Sequence, residues 1–309
     1  MTTRQESIQG QVLASYGSHA LVDCDDGKTR ECSIKGKRFR PVAGDRVQLE
    51  IGDDRQAVIE NIEPRHSELA RQSSAGRRSQ VLAANLDLLA VVIAPEPWPE
   101  PGIVDRYLAA AEHLGLDAVI ILNKTDLADM NEPEWLGEFE NLAYPVFRVS
   151  AENGTGLAQL SAHLARHTAS LVGQSGVGKS TLLNRLMGED VARTGEVSDK
   201  SGEGRHTTTT AYLHRLPGQA GGLIDSPGVR DFHLSAVPPE QVPGLFREIR
   251  DAGSDCRFND CRHVNEPGCA VRAAVESGAI SQRRYRSYLR LREQMEGITE
   301  RNPGLFQGN

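Results

Sequence analysis

Short alternating stretches dominate the first sixty residues. Apolar positions recur as Val12, Ala20-Leu21, Val47-Gln48-Leu49 and Val58-Ile59, separated by turn signals at Asp26-Gly27 and Gly44-Asp45. A period of two marks half-buried strands. Five short strands with a Gly-Asp turn entering one of them predict a small β-barrel of the oligonucleotide-binding (OB-fold) kind over residues 1–65. Residues 65–78 are polar and basic without a clear period, and predict a linker or mobile loop within 66–85.

From Leu86 the pattern changes. Leu88 to Ala94 is one apolar run, as a strand buried on both faces of a parallel sheet requires. A proline-rich loop leads to a helical stretch from Ile103 to His113, a strand from Ala118 to Leu122 and an acidic helix near Glu134 to Leu142. Strand Val146 to Val149, helix Leu157 to Ala165, strand Ala169 to Val172 and helix Lys179 to Met187 follow. This alternation predicts an α/β domain with a mainly parallel sheet over 86–234. After about Phe232 the sheet signal fades. Short helices and a basic helix from about Ser281 to Met295 predict a small, mainly helical domain over 235–309.

Composition narrows the class. The 309 residues are 39% hydrophobic and 25% charged, ordinary for a soluble protein. No apolar run approaches the roughly 20 residues that span a bilayer, and the N-terminus lacks the apolar core of a signal peptide. A cytoplasmic protein, by default a monomer, with no membrane partner is expected. The net charge of −7 means that RNA binding would need local basic patches. Two are candidates: Lys35, Lys37, Arg38 and Arg40, and the helix carrying Arg283, Arg284, Arg286, Arg290 and Arg292 with Tyr285 and Tyr288 between them. On charge alone, either is equally a solvated face.

The first chemical signal is Gly173-Gln174-Ser175-Gly176-Val177-Gly178-Lys179-Ser180, which fits a phosphate-binding loop between an apolar strand and a helix. Glycines let backbone N–H groups converge on phosphates at a helix N-terminus. Lys179 is placed to reach the β- and γ-phosphates and Ser180 to coordinate Mg²⁺; Thr181 follows them as a nucleotide contact.

The second is Asn123-Lys124-Thr125-Asp126, at the C-terminal end of the strand Ala118 to Leu122, where ligands bind in open α/β sheets. The Asp126 carboxylate can accept both the guanine N1–H and the N2 amino protons. Adenine offers no such donor pair and would leave the acceptor unpaired. Asn123 can serve the N7/O6 edge or brace the phosphate loop, and the Lys124 stem can cover the ring. Ser150-Ala151, at the next strand end, could present an N–H to O6. The nucleotide predicted is GTP, with GDP as product.

Asp225-Ser226-Pro227-Gly228 follows apolar Leu223-Ile224; Asp225 would hold Mg²⁺ through water, and the Gly228 N–H could meet the γ-phosphate. Upstream, Gly204-Arg205-His206-Thr207-Thr208-Thr209-Thr210 supplies a threonine to complete the Mg²⁺ shell. Thr208 is favoured, though spacing does not separate it from Thr207 or Thr209. Where a glutamine often orients the attacking water, this chain has Val229-Arg230-Asp231. His206 is the candidate to replace it, by positioning water or as a weak base, unless it only packs the loop. Slow intrinsic turnover and strong stimulation by a partner are expected.

The base-reading motif precedes the phosphate loop, the reverse of the usual order, so a circularly permuted P-loop GTPase domain is predicted. Cys256-x4-Cys261-x-His263-x5-Cys269 supplies the donor set of a closed tetrahedral Zn²⁺ site of structural type, one per chain. Cys24 and Cys32 complete an odd count that argues against a disulfide framework.

This order of motifs, behind a barrel and ahead of the Cys/His cluster, resembles the ribosome small subunit-dependent GTPase A family over nearly the whole chain. The resemblance implies binding to the small ribosomal subunit and its rRNA in a late maturation step, with hydrolysis stimulated by that subunit. It also implies His206 as the catalytic group and a zinc domain touching rRNA. A GTP-dependent signalling switch that recruits a protein partner is the alternative.

Overall fold

The computed structural model describes residues 6–36, 40–52, 56–72, 79–95, 97–127, 131–188, 211–225, 234, 236–302 and 306. Among these, no helix is long and apolar enough to cross a membrane.

Strands β1 (Glu6–Tyr16), β2 (His19–Cys24), β3 (Thr29–Ile34), β4 (Arg46–Ile51) and β5 (Ala57–Ile62) form a closed barrel in the order β1-β2-β3-β5-β4. Val12, Val22, Cys32, Val47, Leu49 and Ile59 fill it. An irregularity between Val12 and Ala14 breaks the register of β1 against β2. Such a bulge re-aims a side chain, and Leu13 accordingly joins the core of the neighbouring domain instead of the barrel. The turn before β4 fixes the barrel on that neighbour. Gly44 has φ +93, and a Cβ there would lie 2.0 Å from the Ala84 carbonyl oxygen. The Gly44 carbonyl accepts from both Gln11 Nε2 and Asn85 Nδ2 at 3.0 Å.

Residues 66–85, expected as a linker, instead carry β6 (Glu68–Gln72) and β7 (Ser79–Ala84), paired as an antiparallel ribbon. The apolar signal is short: Leu69 is fully buried between exposed Glu68 and partly buried Ala70, and a register shift follows it.

The second domain is a six-stranded sheet of order β10-β9-β8-β11-β13-β12. Its strands are β8 (Leu88–Ile93), β9 (Asp117–Leu122), β10 (Val146–Arg148), β11 (Thr168–Val172), β12 (Tyr212–Arg215) and β13 (Gly222–Asp225). All pairs are parallel except β12 with β13. Helices α1 (Pro101–Leu114), α2 (Trp135–Asn141), α3 (Leu157–Leu164) and α4 (Lys179–Met187) connect the strands. The chain runs outward from β8 to β10 and then returns to β11 on the other side of β8. That reversal opens a crevice at the carboxyl ends of β8 and β11, where ligands of such sheets bind. Strand β12 packs on the barrel and is tied to it by Arg215 Nε and Asp23 at 2.9 Å.

The last domain has a 3₁₀ segment (Pro239–Leu245) and helices α5 (Arg247–Gly253), α6 (Ala270–Glu276) and α7 (Gln282–Arg301). Ser281 caps α7 by accepting from the backbone N–H groups of Arg283 and Arg284. The helix runs past the expected end at Met295 because Ile298 continues its apolar stripe. Its basic residues do not form the open face that charge suggested. Arg284 is buried against Asp105 of α1 and Glu248 of α5, both at 2.7 Å, and Arg283 bridges Asp105 and Glu138. Tyr285 and Tyr288 are buried as well. Only Arg286 and Arg290 of the group are exposed, and Arg290 pairs with Glu100 at 3.1 Å.

Candidate functional site

The phosphate loop grows directly from β11. Gly173 has φ +142 and sits where a Cβ would meet the Val92 carbonyl oxygen at 2.2 Å, so only glycine lets the loop start against β8. Buried Val177 anchors the loop while Gln174, Ser175 and Gly176 stay exposed. Gly178, at φ +92, caps the N-terminus of α4, which opens with Lys179, Ser180 and Thr181. The Lys179 ammonium donates to the carbonyls of Gly173 and Gln174 at 2.6 Å. A cleft beside the loop is lined by Lys179, Ser180 and Asp225 over an apolar floor of Leu171 and Leu223. Asp225 ends β13 opposite Tyr212 of β12.

The base-reading motif comes to the same place from β9. Asn123 is buried and does two jobs at once. Its Nδ2 donates to the Val177 carbonyl at 2.9 Å, and its Oδ1 accepts the Ala151 N–H at 3.0 Å. A Cβ on Gly178 would lie 2.4 Å from that Nδ2, so the glycine is needed for the brace as much as for the turn. Of the two roles open to Asn123, bracing the phosphate loop is the one observed. Of the two N–H groups of Ser150-Ala151 that could meet O6, that of Ala151 is held by Asn123 and that of Ser150 by the Thr155 carbonyl at 2.9 Å. Lys124 adopts a left-handed φ of 63, and the Thr125 N–H bonds the Val149 carbonyl at 3.2 Å. Buried Ser150 donates its hydroxyl to Asp126 Oδ1 at 2.5 Å and accepts the Asn153 N–H at 3.1 Å. Thus Asn123, Lys124, Thr125, Asp126, Ser150 and Ala151 gather with the phosphate loop in one crevice. His206, Thr208 and Gly228 lie outside the described residues.

The predicted metal ligands also converge. Ligand atoms of Cys256, Cys261, His263 and Cys269 all lie within 4.8 Å of one another. His263 Nδ1 is 3.5 Å from the sulfurs of Cys256 and Cys269, which are 3.9 Å apart. A tetrahedral ion with metal–sulfur bonds of about 2.3 Å sets its sulfurs about 3.8 Å apart, so the residues fit a closed structural site. Burial keeps His263 below its ordinary pKa, favouring the neutral imidazole a metal needs.

Sequence reasoning missed what supports this site. Glu266 accepts backbone N–H bonds from Arg262, Val264 and Asn265 at 2.9 to 3.1 Å. Burial acts to raise its pKa, but these N–H groups and its own hold it at about 2. The loop it folds puts His263 at φ 57. Tyr285 and Tyr288 of α7 donate their hydroxyls to the carbonyls of His263 and Arg262 at 2.6 Å. Gly253 leaves room for the imidazole, since a Cβ there would be 3.3 Å from the ring. The only sequence signal for Glu266 was its place inside the cluster.

Comparisons agree with this geometry. The family model described as RsgA GTPase matches residues 62–235, and so takes in the β6–β7 ribbon. A Pseudomonas putida protein named small ribosomal subunit biogenesis GTPase RsgA is 44% identical over 287 residues, covering 90% of this chain and 83% of the relative. The Pseudomonas aeruginosa protein of the same name is 43% identical over 283 residues, with the same coverage. The crystal structure of YjeQ from Thermotoga maritima superposes with a TM-score of 0.76 at 29% identity, over 94% of this chain and 99% of that one. YloQ, described as a circularly permuted GTPase, shares the fold at a TM-score of 0.76 and 23% identity, over 96% of this chain and 98% of that one.

Proposed function

The chain belongs to the RsgA GTPase family, and on that premise we propose that it binds the small ribosomal subunit and hydrolyses GTP to GDP and phosphate during late subunit maturation. The relatives it matches are named for small ribosomal subunit biogenesis. The observation that carries the reading is Asn123, which joins the base-reading strand end to the phosphate loop through Val177 and to Ala151 in one buried residue. That link supports a single nucleotide site in which a phosphate cradle and a carboxylate suited to guanine would act on one ligand.

In that site, residues 173–178 would cradle the phosphates with backbone N–H groups, and Lys179 would leave its two carbonyls to reach the β- and γ-phosphates. Asp126, held by Ser150, would read the guanine N1–H and N2 amino group. Mg²⁺ bound with GTP would supply charge neutralisation on the phosphates; Ser180 and Thr208 would hold it directly and Asp225 through water. His206 would orient the attacking water, and the Gly228 N–H would contact the γ-phosphate.

Zinc is the ion proposed for Cys256, Cys261, His263 and Cys269, in a structural role, because three thiolates and an imidazole leave no open position. Contact with rRNA through the barrel and the zinc module, a cytoplasmic location and a monomeric state complete the reading. With Arg283, Arg284, Tyr285 and Tyr288 committed to packing, the face of α7 no longer supports RNA binding.

The deciding experiment is GTP hydrolysis by the purified protein alone, with small subunits and with large subunits. Stimulation of about a hundredfold or more by small subunits only is expected, the scale on which a partner completes a GTPase site. Equal slow rates in all three would favour the signalling switch.

A further inference from the structure

Arg185 lies on the last turn of α4, where sequence alone gives it only the ordinary role of a basic residue at a helix C-terminus. Its guanidinium turns toward the base-reading loop. Nε donates to the Ala151 carbonyl at 2.8 Å, and Nη2 donates to the next carbonyl, that of Glu152. The same Ala151 gives its N–H to Asn123 Oδ1, and its neighbour Ser150 holds Asp126. The loop is thus gripped on both sides of one residue, by Asn123 through an N–H and by Arg185 through carbonyls. Arginine suits this task because its planar fork presents two fixed donors, whereas a lysine offers a mobile point charge.

We infer that Arg185 is a positioning residue for guanine recognition: it ties the helix that opens at the phosphate site to the loop that sets Ser150 and Asp126. It would touch no part of the nucleotide. Its effect passes through residues 150–152, so it bears on the base and not on the phosphates. The phosphate side keeps its own brace, Asn123 to Val177.

The inference rests on the guanine-nucleotide reading, and the experiment separates the two. Dissociation constants for GDP, IDP and ADP are measured for the full chain as wild type, Arg185→Ala and Arg185→Lys, together with thermal unfolding of each nucleotide-free protein. IDP lacks the 2-amino group that Asp126 would read, so the GDP/IDP ratio reports the base contact itself. Arg185→Ala is expected to weaken GDP roughly tenfold, the scale of losing charged-donor hydrogen bonds, and to weaken IDP less, so that the ratio of the GDP to the IDP dissociation constant rises. Arg185→Lys keeps the charge but not the fork, and should fall between. It carries the test if the alanine variant unfolds. Wild-type values in both variants, or equal weakening of GDP and IDP, would overturn the inference. A wild-type protein that does not prefer GDP over ADP would overturn the guanine reading itself and this inference with it.

Discussion

Asp105 of α1 and Arg284 of α7 meet at 2.7 Å with side chains 1% and 2% exposed. Asp105 also takes Arg283, while Arg284 takes Glu248. The pair crosses between the GTPase domain and the C-terminal domain, next to Phe139, whose ring lies 5.5 Å from the Arg284 guanidinium. The segment after Asp225 therefore leads into a module clamped onto the helix that follows β8.

Removing Asp105 leaves buried Arg284 with Glu248 as its one remaining carboxylate, and Arg283 with Glu138. Asp105→Ala is expected to cost about 3 kcal/mol of stability, the lower end for breaking a buried pair, read as a lower urea midpoint by fluorescence of Trp98 and Trp135, which stack edge to face 6.4 Å apart, Trp135 lying 6.0 Å from Phe139. Glu100→Ala removes a pair that is 65% and 71% exposed and should cost under about 1 kcal/mol. Similar losses from both substitutions would mean that the clamp is not desolvated in solution.

Much of this was legible in the chain because it depends on local pattern. The run Leu88 to Ala94 and the loop at 173–180 announce a buried strand and a phosphate site by period and glycine spacing. Cys256, Cys261, His263 and Cys269 declare themselves by donor type. Elements with a single inward residue stayed hidden. The β6 strand offers Leu69, and β12 offers Leu213 between half-buried Tyr212 and His214. The basic helix misled for another reason, since counting arginines does not reveal that Asp105 and Glu248, far away in sequence, neutralise one of them inside the fold. Arg185 and Glu266 were hidden because their partners are backbone groups, which carry no side-chain signature.

Metal removal should act locally. Chelation, or Cys269→Ser, is expected to abolish stoichiometric zinc and to lower the melting temperature of the C-terminal module, because binding energy at such a site is folding energy. GDP affinity should stay near wild type, since the ligands come from the loops around α5 and α6 and not from the sheet. Glu266→Ala should weaken zinc about 10- to 100-fold, as losses around a ligand shell do, by freeing three N–H groups that shape the His263 turn. Competition with a chromophoric chelator measures both. An unchanged melting profile without metal would contradict the structural role.

Asp126 gives a sharper chemical handle. Asn in its place presents an amide N–H₂ where the guanine N2 amino group needs an acceptor, and the Ser150 hydroxyl now bonded to Oδ1 can accept or donate as required. Asp126→Asn is expected to lose GTP affinity by about tenfold or more and to gain affinity for xanthosine triphosphate, whose 2-oxo group accepts that N–H₂. Equilibrium binding of the two nucleotides decides it. An unaltered preference for GTP would remove Asp126 from base recognition.

His206 tests the chemical step apart from binding. The chain has Val229 where a water-orienting glutamine is common, and valine has no group to hold water. In the proposed site, binding would rest on residues 173–180 and 123–126, which His206 does not join in sequence, so His206→Ala should leave the GTP dissociation constant within about twofold. Turnover in the presence of small subunits should fall by roughly 10²- to 10⁴-fold, the range over which a positioned acid–base or water-orienting group contributes. His206→Gln, which can still orient water by hydrogen bonding but cannot act as a base at neutral pH, separates the two roles. Substantial recovery in the glutamine variant identifies orientation as the contribution, and failure to recover identifies proton transfer. Full stimulated turnover in His206→Ala would place the water-orienting group elsewhere in the site.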